Sequence, residues 1–417
     1  MFLLVFALYT SLLHAEDAPL ERTGFLDELR TKVNKDELDA TVDTLVKFGT
    51  RHTLSDTLSK TRGIGAARRW AQTRFESFSK ACGGCLEIVT PSQVVSGKRI
   101  ANPTAVMDVI AIKRGGQEAN RVIIISGHID SRASDPLDAS SDAPGANDDG
   151  SGTAAVLEAA RVLSQYKFPA TIVFAVLSGE EQGLYGGKIL ADYAKAQGWI
   201  VEAVLNNDIV GNSHGDNGVV DNTHIRVFSE GTKAVETPAQ AEKRRYNGGE
   251  LDSPARNLSR YIAALAAEHL TNFNVRQVYR TDRYGRGGDQ VPFLESGFPA
   301  VRMTEAQENY SQQHQNVRTE NGIRYGDTPD HVDFDYLAQV TRLNVLTLAS
   351  LARAPAPPTG VTASGAISQI QQSNGIQHPA PLPTGCGGAT RSHLSGNITA
   401  QSSRKTRMQR LPYSRTS

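Results

Sequence analysis

The chain has 417 residues, with 44 basic and 44 acidic side chains and a formal net charge of zero. That length can bury a sizeable core and allows two or three domains. The cancelled charge leaves no global field to draw the molecule to nucleic acid or an anionic membrane, so a partner must be sought in a local site.

Residues 1–15, MFLLVFALYTSLLHA, form an apolar run too short to span a bilayer. Ending on a small residue before Glu16 and Asp17, the run reads as a cleaved signal peptide, although the usual positive start is missing. No later stretch reaches the ~20 apolar residues of a spanning helix. The expectation is a secreted or periplasmic protein with no stable membrane insertion after cleavage. Residues 36–80 carry helical patterning, clearest in GIGAARRWAQTRFESFSK (63–80). Cys82 and Cys85 lack the second pair and neighbouring histidine of a zinc site, and in an exported protein they read as a local structural disulfide.

From about residue 104 short apolar runs alternate with amphipathic segments. AVMDVIAIK (105–113), RVIIIS (121–126), TIVFAVLS (171–178) and VEAVLNNDIV (201–210) read as strands, and residues 153–166 and 184–197 between them as helices. Residues 253–270 predict a helix, NVRQVY (274–279) and PAVRMT (299–304) short strands, and 335–352 a long amphipathic helix. After Arg353 a Pro-rich linker leads into a stretch without apolar period, residues 354–417, which predicts a disordered, dispensable tail. The alternation predicts one α/β domain over residues 25–353, a mostly parallel twisted sheet with helices on both faces.

Ligands of such sheets bind beyond the carboxyl ends of the strands. His128 and Asp130 follow the strand 121–126, Glu180 and Glu181 the strand 171–177, and Asp208 the strand 201–206, while Asp148 and Asp149 stand at a helix entrance in GANDDGSG. Taken singly, each has a bland reading: Asp148–Asp149 as an N-cap, Glu180–Glu181 as acids favoured by a helix dipole. Together at one edge the carboxylates repel one another unless a cation neutralises them. His128, Asp148, Glu181, Asp208 and one further histidine are nitrogen and oxygen donors without sulfur, which suits zinc in a hydrolytic site with manganese or cobalt as substitutes, and five such groups suit two metals sharing a carboxylate better than one. An EF-hand alignment on Gly150 puts Gly145 and Val156 where acids are required, so a calcium loop is excluded. No H-E-x-x-H, G-x-S-x-G or Walker pattern is present.

GHID (127–130), PGANDDGSGTAAVLE (144–158), SGEEQGLYG (178–186) and NNDIVG (206–211), in that order, resemble the two-zinc exopeptidase family of secreted aminopeptidases, glutamate carboxypeptidases and glutaminyl cyclases. The resemblance implies a phosphorylase/hydrolase-like α/β fold and two Zn²⁺ per chain sharing a water or hydroxide. It implies His128, Asp148, Glu181 and Asp208 as ligands with Asp148 bridging, Glu180 as general base, Asp130 orienting the ligating histidine, and a cis peptide between Asp148 and Asp149. For the fifth ligand, His314 in TEAQENYSQQHQNVRTENG (304–322) fits better than His331 in PDHVDF, with residues 318–329 resembling an insertion. In DRYGRGGDQVPF (282–293) Gly288 and Gln290 depart from the family's Ser-Asp-His while Asp289 is retained, and Tyr284 is offered as an oxyanion donor. The implied activity is that of an exported metallo-aminopeptidase acting on peptides. The alternatives are a carboxypeptidase, for which Arg283, Arg286 and Arg302 would furnish the basic pocket, and a glutaminyl cyclase. No motif bears on oligomeric state.

Overall fold

Apolar runs such as Val122–Ile125 alternate between two cores: Ile123 and Ile125 face one side of a sheet, Val122 and Ile124 the other. A strand covered by helices on both faces needs this composition, because no position along it meets water. The computed structural model describes residues 22–247, 249 and 251–356. The expected leader and most of the expected tail lie outside the described residues.

Helices α1 (Arg22–Thr31), α2 (Lys35–Val46) and α3 (Gly63–Ala81) come first. They are followed by β1 (Glu87–Val89), β2 (Ser92–Gly97), β3 (Ile100–Met107), β4 (Val109–Lys113) and β5 (Glu118–His128). Next are α4 (Gly150–Leu163), β6 (Ala170–Leu177), α5 (Glu180–Gly183), α6 (Tyr185–Ala196), β7 (Ile200–Asn207) and β8 (His224–Phe228). The chain continues through α7 (Pro238–Asn247), α8 (Pro254–His269), β9 (Asn274–Val278), α9 (Gln290–Glu295) and β10 (Ala300–Glu305). Last are β11 (Arg318–Glu320), β12 (Ile323–Tyr325) and α10 (Phe334–Arg353). Cys82 and Cys85 are disulfide-bonded at the end of α3.

Eight strands form the central sheet in the order β1-β4-β6-β5-β7-β10-β8-β9. Its centre, β6-β5-β7-β10, is parallel, as the alternating pattern predicts. β4 and β8 run antiparallel to their central neighbours, which makes the sheet mixed at its flanks. Helices α1 to α4, α8 and α10 pack on one face, α6 and α9 on the other. The run AVMDVIAIK is two strands rather than one. The chain breaks at Asp108, whose buried carboxylate accepts the Ser178 N–H (2.9 Å), so that β4 stays in the main sheet while β3 leaves to pair with β2. Because β5 has β6 on one side and β7 on the other, the crossovers diverge there and open a crevice at the carboxyl ends of all three.

Candidate metal centre

Each acidic or imidazole group reaches the crevice from a different element. His128 ends β5, Asp148 precedes α4, Glu180 and Glu181 follow β6, Asp208 follows β7, and His314 lies in the loop after β10. The two oxygens of the Asp148 carboxylate face different partners. Oδ1 lies 3.3 Å from His128 Nε2, which is 3.9 Å from Asp208 Oδ1. Oδ2 lies 2.9 Å from His314 Nε2, which is 2.9 Å from Glu181 Oε1. Ligand atoms of His128, Glu180 and Asp208 fall within 4.8 Å of one another, and so do those of Asp148, Glu181 and His314.

Two glycines explain how the backbones come so close. A Cβ on Gly127 would stand 2.6 Å from the backbone of Gly152, and one on Gly152 would stand 2.4 Å from the Asn207 carbonyl. The end of β5, the start of α4 and the end of β7 therefore touch main chain to main chain. The Asp149 carboxylate pins all three, accepting from the N–H groups of His128 (2.9 Å), Gly152 (2.9 Å) and Ile209 (3.3 Å). It is an N-cap and also a clamp beside His128 and Asp148, two of the candidate ligands. The Asp148–Asp149 peptide is cis.

Asp130 acts on the next loop. Its carboxylate accepts from the N–H groups of Gly179 (2.9 Å), Glu180 (3.3 Å) and Glu181 (3.2 Å) and from Thr53 Oγ1 (3.0 Å). His128 Nδ1 bonds the Asp130 carbonyl at 3.0 Å and stands 3.6 Å from its carboxylate. Thus Asp130 holds His128 chiefly through its main chain and the Glu180–Glu181 turn through its side chain.

Three anchors carry no motif. Asp327, in the segment read as an insertion, follows β12, and its carboxylate accepts from the N–H groups of Asn147 (2.8 Å) and Asp148 (2.7 Å). Buried Arg51 donates to the carbonyls of Ile129, Leu45, Pro144 and Gly145. Arg302, 0% exposed, sits 2.7 Å from Asp208 Oδ2 and 3.5 Å from Asp282, leaving Asp208 Oδ1 toward His128. A Cβ at Gly288 would stand 2.7 Å from the Arg302 guanidinium, so the departure from serine there makes room for this pair.

The basic pocket and the oxyanion donor need correction. Arg302 is consumed by buried aspartates, and Arg283 pairs with Glu308 at 2.8 Å and with Asp282, so neither is free to meet a substrate. Tyr284 is 85% exposed and lies under the Arg280 guanidinium instead of facing the crevice. Gln290 is buried and bonds Asp282 (2.6 Å) and Asn206 (3.3 Å), which gives it a bracing position. Asp289 accepts the Gly187 N–H at 3.0 Å. His331 lines a separate cavity with His214 and Asp330, away from the carboxylates that His314 meets.

A divalent cation pair fits this donor set on two observations. His128 Nε2 and Glu181 Oε1 are buried and make no well-aligned hydrogen bond, although Asp148 Oδ1 stands 3.3 Å from the first and His314 Nε2 2.9 Å from the second. The histidines also supply positive charge that metals would otherwise bring. Burial disfavours the charged His314, yet Glu181 and Asp148 outweigh it and hold the imidazole up at about 9. His128 is likewise raised, against burial, by Asp130 and Asp148. Asp148 is held well below its ordinary value by these histidines despite burial. Glu180 is pushed well above its own by burial and by Asp208 and Glu181. Glu180, Glu181, Asp148, Asp208 and His314 line one cavity of about 420 Å³.

Comparison with known proteins places these features in a family. The sequence matches peptidase family M28 over residues 108–345. A "Probable zinc metalloprotease" of Pyrenophora teres f. teres is 46% identical over 347 residues, covering 82% of this chain and 72% of that protein. Another, from Leptosphaeria maculans, is 46% identical over 332 residues, covering 79% and 77%. The fold is similar to that of the Legionella pneumophila LapA aminopeptidase (TM-score 0.58, 21% identity, covering 79% and 75%). It is also similar to that of the Fimbriiglobus ruber glutaminyl cyclase (TM-score 0.52, 17% identity, covering 76% and 95%).

Proposed function

The chain belongs to peptidase family M28, and from that premise we propose that it is an exported zinc aminopeptidase, with residues 25–353 as its catalytic unit. The observation that carries this reading is Asp148, whose two carboxylate oxygens are divided between two imidazole and carboxylate sets at the wall of one cavity. His128, Asp208 and Asp148 Oδ1 would hold one zinc, and His314, Glu181 and Asp148 Oδ2 the other. Bound there, zinc supplies Lewis acidity toward a carbonyl and acidifies water to a pKa of ~7.

The chain's own residues do the rest. Glu180 accepts the proton of the attacking water and passes it to the leaving amine, for which its raised pKa is matched. Asp130 keeps Glu180 in place by holding three successive N–H groups of its turn. Asp327 holds the Asp148 N–H, and Asp149, next in the chain, holds the N–H groups of His128, Gly152 and Ile209. Among the described residues no helix is long and apolar enough to cross a membrane. Export rests on the leader pattern in residues 1–15.

The reading is tested with aminoacyl peptides whose carboxyl end is amidated. Cleavage from the amino end that is abolished by a chelator and restored by zinc supports it. Cleavage only of amino-blocked peptides, or activity indifferent to the chelator, contradicts it.

A further inference from the structure

Besides its carboxylates, the 420 Å³ cavity is lined by Lys98, Arg99, Arg132, Arg283 and Arg286. These five cations are not equivalent. Arg283 is paired with Glu308 and Asp282, and Arg132 leans toward Glu181 at 3.8 Å. Arg99 donates only to the main-chain carbonyl of Glu181 (2.6 Å) and Arg286 only to the neutral Gln313 (3.4 Å). Among the described residues, no carboxylate pairs with Lys98, Arg99 or Arg286.

These charges are held at the cavity by the fold. Lys98 and Arg99 form the tip of the β2–β3 hairpin, which packs on α6 through Ile100, Val106 and Ile189 and is tied by Tyr185 Oη to the Ser96 carbonyl at 3.2 Å. Arg286 belongs to the loop fixed by Arg302, which donates to the Gly287 carbonyl at 3.1 Å. Two divalent cations would balance Asp148, Glu180, Glu181 and Asp208, and Arg283 is balanced by Glu308. What remains on the wall is a surplus of positive charge. A cavity lined by one sign of charge raises the local concentration of ligands of the opposite sign.

We propose that the cavity selects peptides that present a carboxylate next to the scissile bond, with Lys98, Arg99 and Arg286 as its partners. The inference rests on the peptidase reading for cleavage and on the charge geometry for the selectivity. Such a carboxylate comes either from an acidic amino-terminal side chain or from the free carboxyl end of a very short peptide. The two sources share their chemistry and are separated by the test.

The zinc-loaded full chain is assayed on amidated peptides beginning with Glu, Leu or Lys, and on leucyl dipeptides with free or amidated carboxyl ends. The expected result is a preference of roughly tenfold or more in kcat/KM for the substrate bearing the carboxylate. That preference should shrink as salt rises from about 0.05 to about 0.5 M. Selectivity among the amidated peptides assigns the side chain as the source, and selectivity among the dipeptides assigns the terminal carboxylate. The double variant Lys98→Glu/Arg286→Glu should lose the preference or turn it toward Lys. Binding of the same peptides to the Glu180→Gln protein, read by calorimetry, reports selectivity without turnover. Preferential binding of the carboxylate-bearing peptide where wild type cleaves nothing would remove the hydrolytic reading and leave this inference standing. Cleavage or binding that differs less than about twofold across the panel, or a preference that survives charge reversal, overturns it.

Discussion

Replacing Arg302 by methionine isolates the energetic role of the buried guanidinium. The substitution keeps an unbranched side chain but leaves Asp208 and Asp282 without the cation that stands 2.7 and 3.5 Å away. Arg302 is 0% exposed and Asp208 3%, so water does little to replace the lost partner. Removing one member of such a pair costs about 3–5 kcal/mol. At an unfolding entropy of about 2.1 cal/mol/K per residue over the roughly 330 described residues, that lowers the thermal midpoint by about 4–7 °C. The sign of the pH dependence follows from Asp208. Burial works against its ionisation, but Arg302 and His128 hold its carboxyl below the ordinary 3.8. Its contribution to stability is therefore present at neutral pH and lost as the pH falls. Without Arg302 the carboxyl takes up a proton at milder acidity, which relieves the buried charge, so the gap between variant and wild type should be largest near pH 7–8 and smaller near pH 5. Calorimetric scans of the metal-free proteins across that range make the measurement. Saturating zinc should narrow the gap, since a cation at Asp208 supplies the missing charge. Equal midpoints at neutral pH in the presence of chelator, or a gap that widens in acid, would refute the reasoning.

Glu180→Gln keeps size and polarity but cannot take up a proton, so kcat should fall by roughly 10²–10⁴ while zinc content, read by elemental analysis, stays unchanged. In the metal-free chain His314 titrates at about 9 and His128 is also raised, so zinc binding near neutrality should expel more than one proton. Calorimetry in buffers of different ionisation enthalpy checks this, and apparent zinc affinity should climb as the pH rises toward 9. Asp327→Asn replaces one of the two carboxylate oxygens that receive the Asn147 and Asp148 N–H groups by an amide nitrogen that cannot accept them; zinc affinity, measured by competition with a chelating dye, should drop roughly 10- to 100-fold.

Much of this architecture is legible in the residues because its signals are local. VIII (122–125) is apolar at every step because β5 is covered on both faces, and the candidate ligands His128, Glu181 and Asp208 stand at or just after strand ends, where sequence and geometry coincide. The position of His314 after β10 favours it over His331, and it is His314 that stands beside Asp148 and Glu181. The less legible parts depend on distant partners. Asp327 meets Asn147 across 180 residues, and Arg51 meets Gly145 across 94, with no pattern at either end to announce the contact. Arg302 misled for a related reason. A charged residue in a short strand suggests a group free for substrate, yet all six residues of β10 are buried in the sheet. The basic residues that do line the cavity come partly from the β2–β3 hairpin, whose exposed strands have no apolar period to mark them.

The shared carboxylate of Asp148 is the centre of the account, and counting metal ions by native mass spectrometry tests it most directly. Two zinc ions are expected per wild-type chain, one in His314→Ala, which keeps the His128 and Asp208 side, and none in Asp148→Ala under the same conditions, with peptidase activity lost in both variants. One ion in the fully active wild-type chain, or a zinc ion retained by Asp148→Ala as firmly as by His314→Ala, would contradict it.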